Sequence, residues 1–340
     1  MKILSPLSKV DEVKPLAEAG ADEFYCGIVT KEWEKRFSFI ASSNLRHDRV
    51  ANFSSFEQLA QAVAIARTQK KPVFCAFNAH FYSEKQLPLA LKEISQAIDA
   101  GISKIIASDP ALISLLKEQN TGIDIALSTA NPCFNSHSLA FFKERGIQRI
   151  VLPRHLTVEE IQGLAPAAKA LNLELEAFAL NALCPYIDGL CTFQHVGKNP
   201  DFVSAHELAC RMPFDVEAIQ ANSAQPDKSS AQPDTISAPP DQKTLSAKAK
   251  ASIWHNTLPD ACGLCALPAF QEAGIHSIKI AGRGNSSKKK IADVKMLKQA
   301  LSLISLPKQE FVQEMHALFF KAFHQTCSHS KCYYPSEGLA

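Results

Sequence analysis

Cysteine is the residue type whose spacing says most about chemistry in this chain. Seven of the ten cysteines follow residue 183 and lie outside any helical periodicity: Cys184-x6-Cys191-x18-Cys210, then Cys262-x2-Cys265, then Cys327-x4-Cys332. Thiolates gathered from connecting segments hold zinc or an iron–sulfur cluster. Structural zinc usually draws on two close pairs. A first pair six residues apart, followed by a solitary third cysteine, better suits the wider sulfur separation of a cubane. Spacing alone leaves cluster, zinc and redox thiols open. Cys265, Cys327 and Cys332 are expected to meet beside the main set and clamp the C-terminus through a second metal or a redox-active thiol set. The plainer alternative is three separate free thiols. Cys26, Cys75 and Cys133 sit in or beside apolar runs and read as small buried hydrophobes.

Secondary-structure elements must bring these segments together. Apolar, β-rich runs at 2–5, 22–28, 72–79, 104–108, 123–129, 149–153, 173–181 and 277–282 alternate with amphipathic stretches such as 54–69, 84–100 and 157–170. Ser83, Thr157 with Glu160, and Asp109-Pro110 are expected helix starts. Continuous apolar strands alternating with helices predict a parallel sheet covered on its outer face. Eight such units close into an α/β fold of the (β/α)8 barrel type, with its active site at the C-terminal ends of the strands. The runner-up, an open doubly wound sheet, lacks a glycine-rich phosphate loop after the first strand. The barrel makes suspects of the polar and reactive residues at strand ends: Ser5, Tyr25, Cys26, Asn78, His80, Ser108, Asp109, Ser128, Asn131, Arg154, His155, Asn181 and Arg283.

The expected layout runs from 1–214, with strands one to seven and the first three late cysteines, to a low-complexity insertion at 215–253. Residues 254–306 follow with the fourth cysteine, the eighth strand and the last barrel helix, and 307–340 form a C-terminal helix and a cysteine-bearing tail. The insertion has no aromatic residue and repeats AQPD, so it is read as disordered. A formal charge of +2 announces no global basic field, which argues against DNA. No apolar run is long enough to span a bilayer, and MKILSPLSKVDE reaches proline and charge too early for a signal peptide. A cytoplasmic protein with reduced thiols is the expectation.

Several ordered motifs resemble one family. Gly20-Ala21-Asp22 leading to Tyr25-Cys26-Gly27, Ser128-Thr129 with Asn131, Val151-Leu152-Pro153-Arg154, Glu176 through Cys184 to Cys191, and Lys279-Ile280-Ala281-Gly282-Arg283 are similar to motifs of the collagenase-like peptidase family U-32. The resemblance covers most of the chain outside the insertion. It implies a barrel-like domain and a 4Fe–4S cluster held by Cys184, Cys191, Cys210 and Cys262. It also implies support of oxygen-independent hydroxylation, of a small aromatic precursor or of an RNA base, with a small-molecule or RNA substrate and a possible partner subunit of the same family. The chain departs from the pattern at Asn181, where the family has glycine, at Leu180 in place of a frequent histidine, and at Ala281 in place of glutamate.

On this reading Arg154 and Arg283 are candidates to hold an anionic group, and Asn78 is a candidate catalytic side chain. Glu176 is either a proton acceptor or a buried ion-pair partner of Arg154 or Arg283. Two alternatives stand beside it. A peptidase, as the family name says, would rest on Cys26 or His80, since the chain carries neither Gly-x-Ser-x-Gly nor His-Glu-x-x-His. An RNA-binding modification factor would use Lys288-Lys289-Lys290 with Arg283 as a basic patch, although three such lysines are more often a solvated helix face.

Overall fold

Each apolar run becomes a strand, because β-branched and small apolar side chains can be buried on both faces only in a sheet covered by helices. The computed structural model describes residues 1–37, 43–46, 49–184, 187–190 and 261–338. The order is β1 (Lys2–Pro6), α1 (Val13–Ala19), β2 (Glu23–Gly27), α2 (Lys31–Phe37), α3 (Phe56–Thr68), β3 (Val73–Phe77), α4 (Leu87–Asp99), β4 (Lys104–Ala107), α5 (Pro110–Glu118) and β5 (Asp124–Leu127). It continues through α6 (Ser136–Glu144), β6 (Ile147–Val151), α7 (Val158–Ala170), β7 (Glu174–Leu180), α8 (Leu267–Glu272), β8 (Ser277–Ile280), α9 (Ser287–Ser302), α10 (Lys308–Phe323) and α11 (Pro335–Gly338). The eight strands are parallel and close in sequence order, with β1 pairing β8. This is the expected (β/α)8 barrel. Among the described residues no helix is long and apolar enough to cross a membrane. The expected insertion at 215–253 lies outside the described residues.

Local chemistry explains most boundaries. Asp109 caps α5, accepting from the amides of Ala111 and Leu112 ahead of Pro110. Thr157 and Glu160 form a reciprocal capping box on α7. Ser83 is not a cap: α4 starts after Gln86, with a proline in its first turn, and Ser83 closes a preceding turn through its carbonyl. The sixth strand also begins two residues earlier than expected. Gly146, at φ +84°, ends α6 abruptly, and Pro153, which has no amide hydrogen to donate, stands beyond the strand's end.

Alternation divides each strand between two environments. Outward residues such as Ile3, Phe24, Cys26, Leu175, Ala177 and Ile278 pack under the helices. Leu4, Tyr25, Phe74, Ala76, Ile106 and Ala126 form a separate apolar cluster inside the barrel. The C-terminal tail is tied across the top. Cys262 bridges Leu180 on one side and Cys332 on the other. Tyr333 and Tyr334 are buried, their hydroxyls donating to the carbonyls of Asn181 and, at 3.1 Å, Phe178.

Candidate active site at the barrel mouth

The barrel interior carries charge as well as apolar residues. Arg149 of β6 is 1% exposed and donates to Glu23 at 2.7 Å, to Glu174 at 2.7 Å and to Glu176 at 3.2 Å. Glu176 also accepts from Lys279 of β8 at 2.8 Å and from the Ser277 hydroxyl at 3.2 Å. The Lys279 ammonium lies 4.3 Å from the centre of the Tyr25 ring. Burial lowers the Lys279 pKa, and Glu176 opposes that shift. The expected ion-pair partners of Glu176, Arg154 or Arg283, are therefore replaced by Arg149 and Lys279. Those two residues sit at inward register positions of the strands flanking β7, whereas both expected arginines lie beyond strand ends.

Above this ladder the strand ends gather most of the expected residues. Arg283, buried just past β8, donates to Asn44 at 2.8 Å and to Asn52 at 3.4 Å. A methyl group on Gly27 would stand 1.7 Å from the Arg283 guanidinium and 2.3 Å from Asn52, so the end of β2 needs glycine for this close approach. The Tyr25 hydroxyl donates to the Ile280 carbonyl at 3.0 Å. Burial pushes its phenol up to about 12, against the pull of Arg283 and Arg46.

Asn78 ties two loops together, donating to Ser128 at 3.0 Å and accepting from the Leu45 amide at 3.3 Å. The Ser108 hydroxyl donates to the Asn78 carbonyl, and Asn131 donates to the Ser108 carbonyl. Ser5 is buried with its hydroxyl toward the Pro6 carbonyl. Asp109 serves as a helix cap and also accepts from the Tyr82 amide at 2.6 Å. Asn44, Asn52, Gly27, Arg149 and Lys279 were missed as site residues. The signal available for the last two was a charge inside an apolar strand.

Arg154 is committed rather than available. Its guanidinium pairs with buried Asp188 and donates to the Ala182 carbonyl at 2.5 Å. The expectation that it holds an anionic ligand gives way to a brace on the turn after β7, because Asp188 already supplies the negative charge. His155 accepts from the Asp188 amide at 3.4 Å in the same turn. Asn181 and Ala182 both take left-handed backbone, at φ +64° and +52°. Asparagine tolerates that conformation where the family has glycine, and its amide donates to Asp293 at 2.9 Å.

Of the four cysteines assigned to a cluster by resemblance, Cys191 and Cys210 lie outside the described residues. Cys184 is half-buried, close enough to Arg154 and Tyr333 to influence both electrostatically. Cys262 is buried and lines a cavity shared with Cys265, Cys327 and Cys332, to which Cys184 does not contribute. Two of the four are therefore described, Cys184 shortly after the end of β7 and Cys262 paired by backbone with Leu180 at that end. Cys265, Cys327 and Cys332 line that cavity together. Among the described residues, no group of three or more His, Cys, Asp or Glu side chains already stands in a metal-holding arrangement.

Two other expectations change. Of Lys288, Lys289 and Lys290 only the first is exposed: Lys289 pairs with Asp293 at 3.1 Å, and fully buried Lys290 pairs with Glu12 at 3.0 Å. That is no solvated basic patch. Cys26 is fully buried, with its thiol toward the Phe74 carbonyl, and His80 meets the Ala130 carbonyl at 3.3 Å. A buried thiol in the wall of the barrel is poorly placed to attack a peptide.

This chain is similar to several curated proteins. It is 27% identical over 219 residues to tRNA hydroxylation protein P of Haemophilus influenzae, covering 64% of this chain and 44% of that protein. It is 24% identical over 217 residues to tRNA hydroxylation protein P1 of Bacillus subtilis, covering 63% and 47%. It is 28% identical over 199 residues to an uncharacterized protease of Methanocaldococcus jannaschii, covering 56% and 43%. The chain thus spans less than half the length of each of these three relatives. A solved structure of a U32 peptidase superposes with a TM-score of 0.41 at 12% identity, covering 54% of this chain and 70% of that one. Residues 8–338 match the model of Peptidase family U32, and the chain belongs to that family.

Proposed function

We propose that this protein supports the hydroxylation, or a related redox modification, of an RNA base taken into the barrel mouth. The observation that carries the reading is Arg283, held at the C-terminal end of the barrel by Asn44 and Asn52 and given its room by Gly27. Guanidinium and amide groups at a buried mouth read the carbonyl and N–H edges of a base lifted out of its stack. Below it, Lys279 and Tyr25 form a cation-bearing floor, with Glu176 balancing the charge. Similarity to proteins named for tRNA hydroxylation supports the substrate class. Cys184, Cys191, Cys210 and Cys262 are the proposed holders of an iron–sulfur cluster, which would supply electron transfer beside this mouth. Arg154 and Asp188 fix the turn that presents Cys184.

The test is nucleoside mass spectrometry of tRNA and ribosomal RNA from cells lacking the gene. The expected result is loss of one pyrimidine nucleoside heavier than its parent by one oxygen. Wild-type protein should restore it, and Arg283→Met, at matched soluble abundance, should not. An unchanged nucleoside profile would refute the RNA reading, and accumulation of an under-hydroxylated aromatic metabolite would move the substrate to a small molecule.

A further inference from the structure

The large apolar side chains that reach solvent are not scattered over the barrel. Among the described residues, Val50, Phe81, Phe134, Ile187 and Leu190 stand on connections that follow β2, β3, β5 and β7, and only Phe141 of α6 and Phe320 of α10 stand elsewhere. Single exposed apolar residues are ordinary surface, whereas a group of them round one opening marks an interaction site. Three of these connections are joined. The His80 Nδ1 atom lies 3.3 Å from the Ala130 carbonyl oxygen. Gly189, at φ +76°, comes so close to the loop after β5 that a methyl group would stand 2.1 Å from the Pro132 ring. Phe81, Phe134, Ile187 and Leu190 therefore belong to one arc of the rim.

The two rings of the arc are carried on anchored backbone. Phe81 is 74% exposed and precedes buried Tyr82, whose amide donates to Asp109 at 2.6 Å and whose hydroxyl donates to the Ser43 carbonyl at 2.5 Å. Phe134 lies between fully buried Cys133 and Asn135, the N-terminal cap of α6. From Phe134 the exposed stripe continues along α6 at helical spacing through His137 and Phe141. The Arg145 guanidinium lies 3.4 Å from the centre of the Phe141 ring, and the Lys117 ammonium reaches the neighbouring Glu144 carbonyl at 2.6 Å. Rings interleaved with cations suit an unpaired nucleic-acid strand, whose bases stack on the rings while its phosphates meet the cations.

We propose that this rim is a stacking platform for single-stranded RNA: Phe81 and Phe134 stack on the bases that flank the one entering the barrel, and the strand leaves along α6 past Phe141 and Arg145. The platform rests on the RNA reading above and extends it, since a base lifted out of its stack leaves neighbours that have lost a partner. The two rings replace that partner. They hold the strand in place without reading its sequence, because every base has a π-face.

The experiment is a fluorescence-anisotropy titration of fluorescein-labelled oligouridine with the full chain, purified without oxygen, at low salt. Phe81→Ala and Phe134→Ala should each weaken binding about tenfold, and Phe81→Ala should unfold at the wild-type temperature. Phe81→Leu, which keeps apolar bulk without a ring, should bind as weakly as Phe81→Ala. Phe81→Trp should keep the affinity, with its added indole fluorescence quenched by the oligouridine. An abasic ribose-phosphate strand of equal length should bind the wild-type chain no better than oligouridine binds Phe81→Ala. Arg145→Gln should flatten the salt dependence of binding, and an unaltered slope would take the strand off α6. Alanine variants that bind as tightly as wild type, or an absence of wild-type binding, would overturn the platform. Unaltered RNA affinity with a dimer lost in Phe81→Ala would assign the arc to a protein contact instead. Ring-dependent RNA binding beside an unchanged cellular nucleoside profile would refute the modification and leave the platform standing.

Discussion

Glu176 shows how one side chain can organise a barrel interior. Its carboxylate is 1% exposed and faces two cations, Arg149 and Lys279, that have no water to turn to. Removing one partner of a buried pair typically costs about 3–5 kcal/mol, because the other charge is left uncompensated. Glu176→Ala should therefore lower the urea midpoint strongly. Glu176→Leu combined with Lys279→Met should recover a large part of that loss, since Arg149 keeps Glu23 and Glu174. Equal losses in the single and double variants would mean that Lys279 does not depend on Glu176. A glutamate inside an apolar strand announced from sequence that a cation had to face it. Which cation it faces follows from inward register across β6, β7 and β8, and that register is set only when the barrel closes.

At the scale of elements, α4 carries an acid in an apolar place. Glu93 is buried on its inner face, accepts from the Thr30 hydroxyl, and leaves its second oxygen without a hydrogen-bond partner. Burial pushes its carboxyl up from 4.5 to about 7, partly offset by the Thr30 hydrogen bond. The folded state thus holds this proton more tightly than the unfolded chain does. The associated stability is fully present below pH 4.5 and is lost as pH rises through 7. The loss is about 3 kcal/mol. Glu93→Gln should flatten the pH dependence of thermal unfolding in that window and raise Tm at pH 8. An unaltered pH profile would place the sensitivity elsewhere.

The strands themselves were readable because each is a short apolar run between turn residues, and the caps at Asp109 and Thr157 are local chemistry. Ser83 misled because Pro88, five residues further on, sits in the first turn of the helix and helps decide where it begins. The left-handed pair Asn181 and Ala182 was visible only as a departure from a family glycine.

At the scale of the whole molecule, closure of eight strands puts residues from opposite ends of the chain on one rim. Arg283 meets Asn44 across 239 positions, and the tail cysteines meet Cys262. That Cys265, Cys327 and Cys332 line one cavity was open in the sequence, where three separate free thiols fitted the spacing equally well. The backbone pairing of Cys262 with Lys331 and Tyr333 was not legible, since it forms only when the tail folds back on the barrel. Cys191 and Cys210 lie outside the described residues, so the cluster must be read from the protein's metal content. The most direct test is iron and acid-labile sulfide in the full chain isolated without oxygen, with its absorption spectrum. The account predicts a brown protein with about four iron and four sulfide per chain, bleached by Cys184→Ala, Cys191→Ala, Cys210→Ala or Cys262→Ala. A colourless chain that carries zinc and no iron would contradict it.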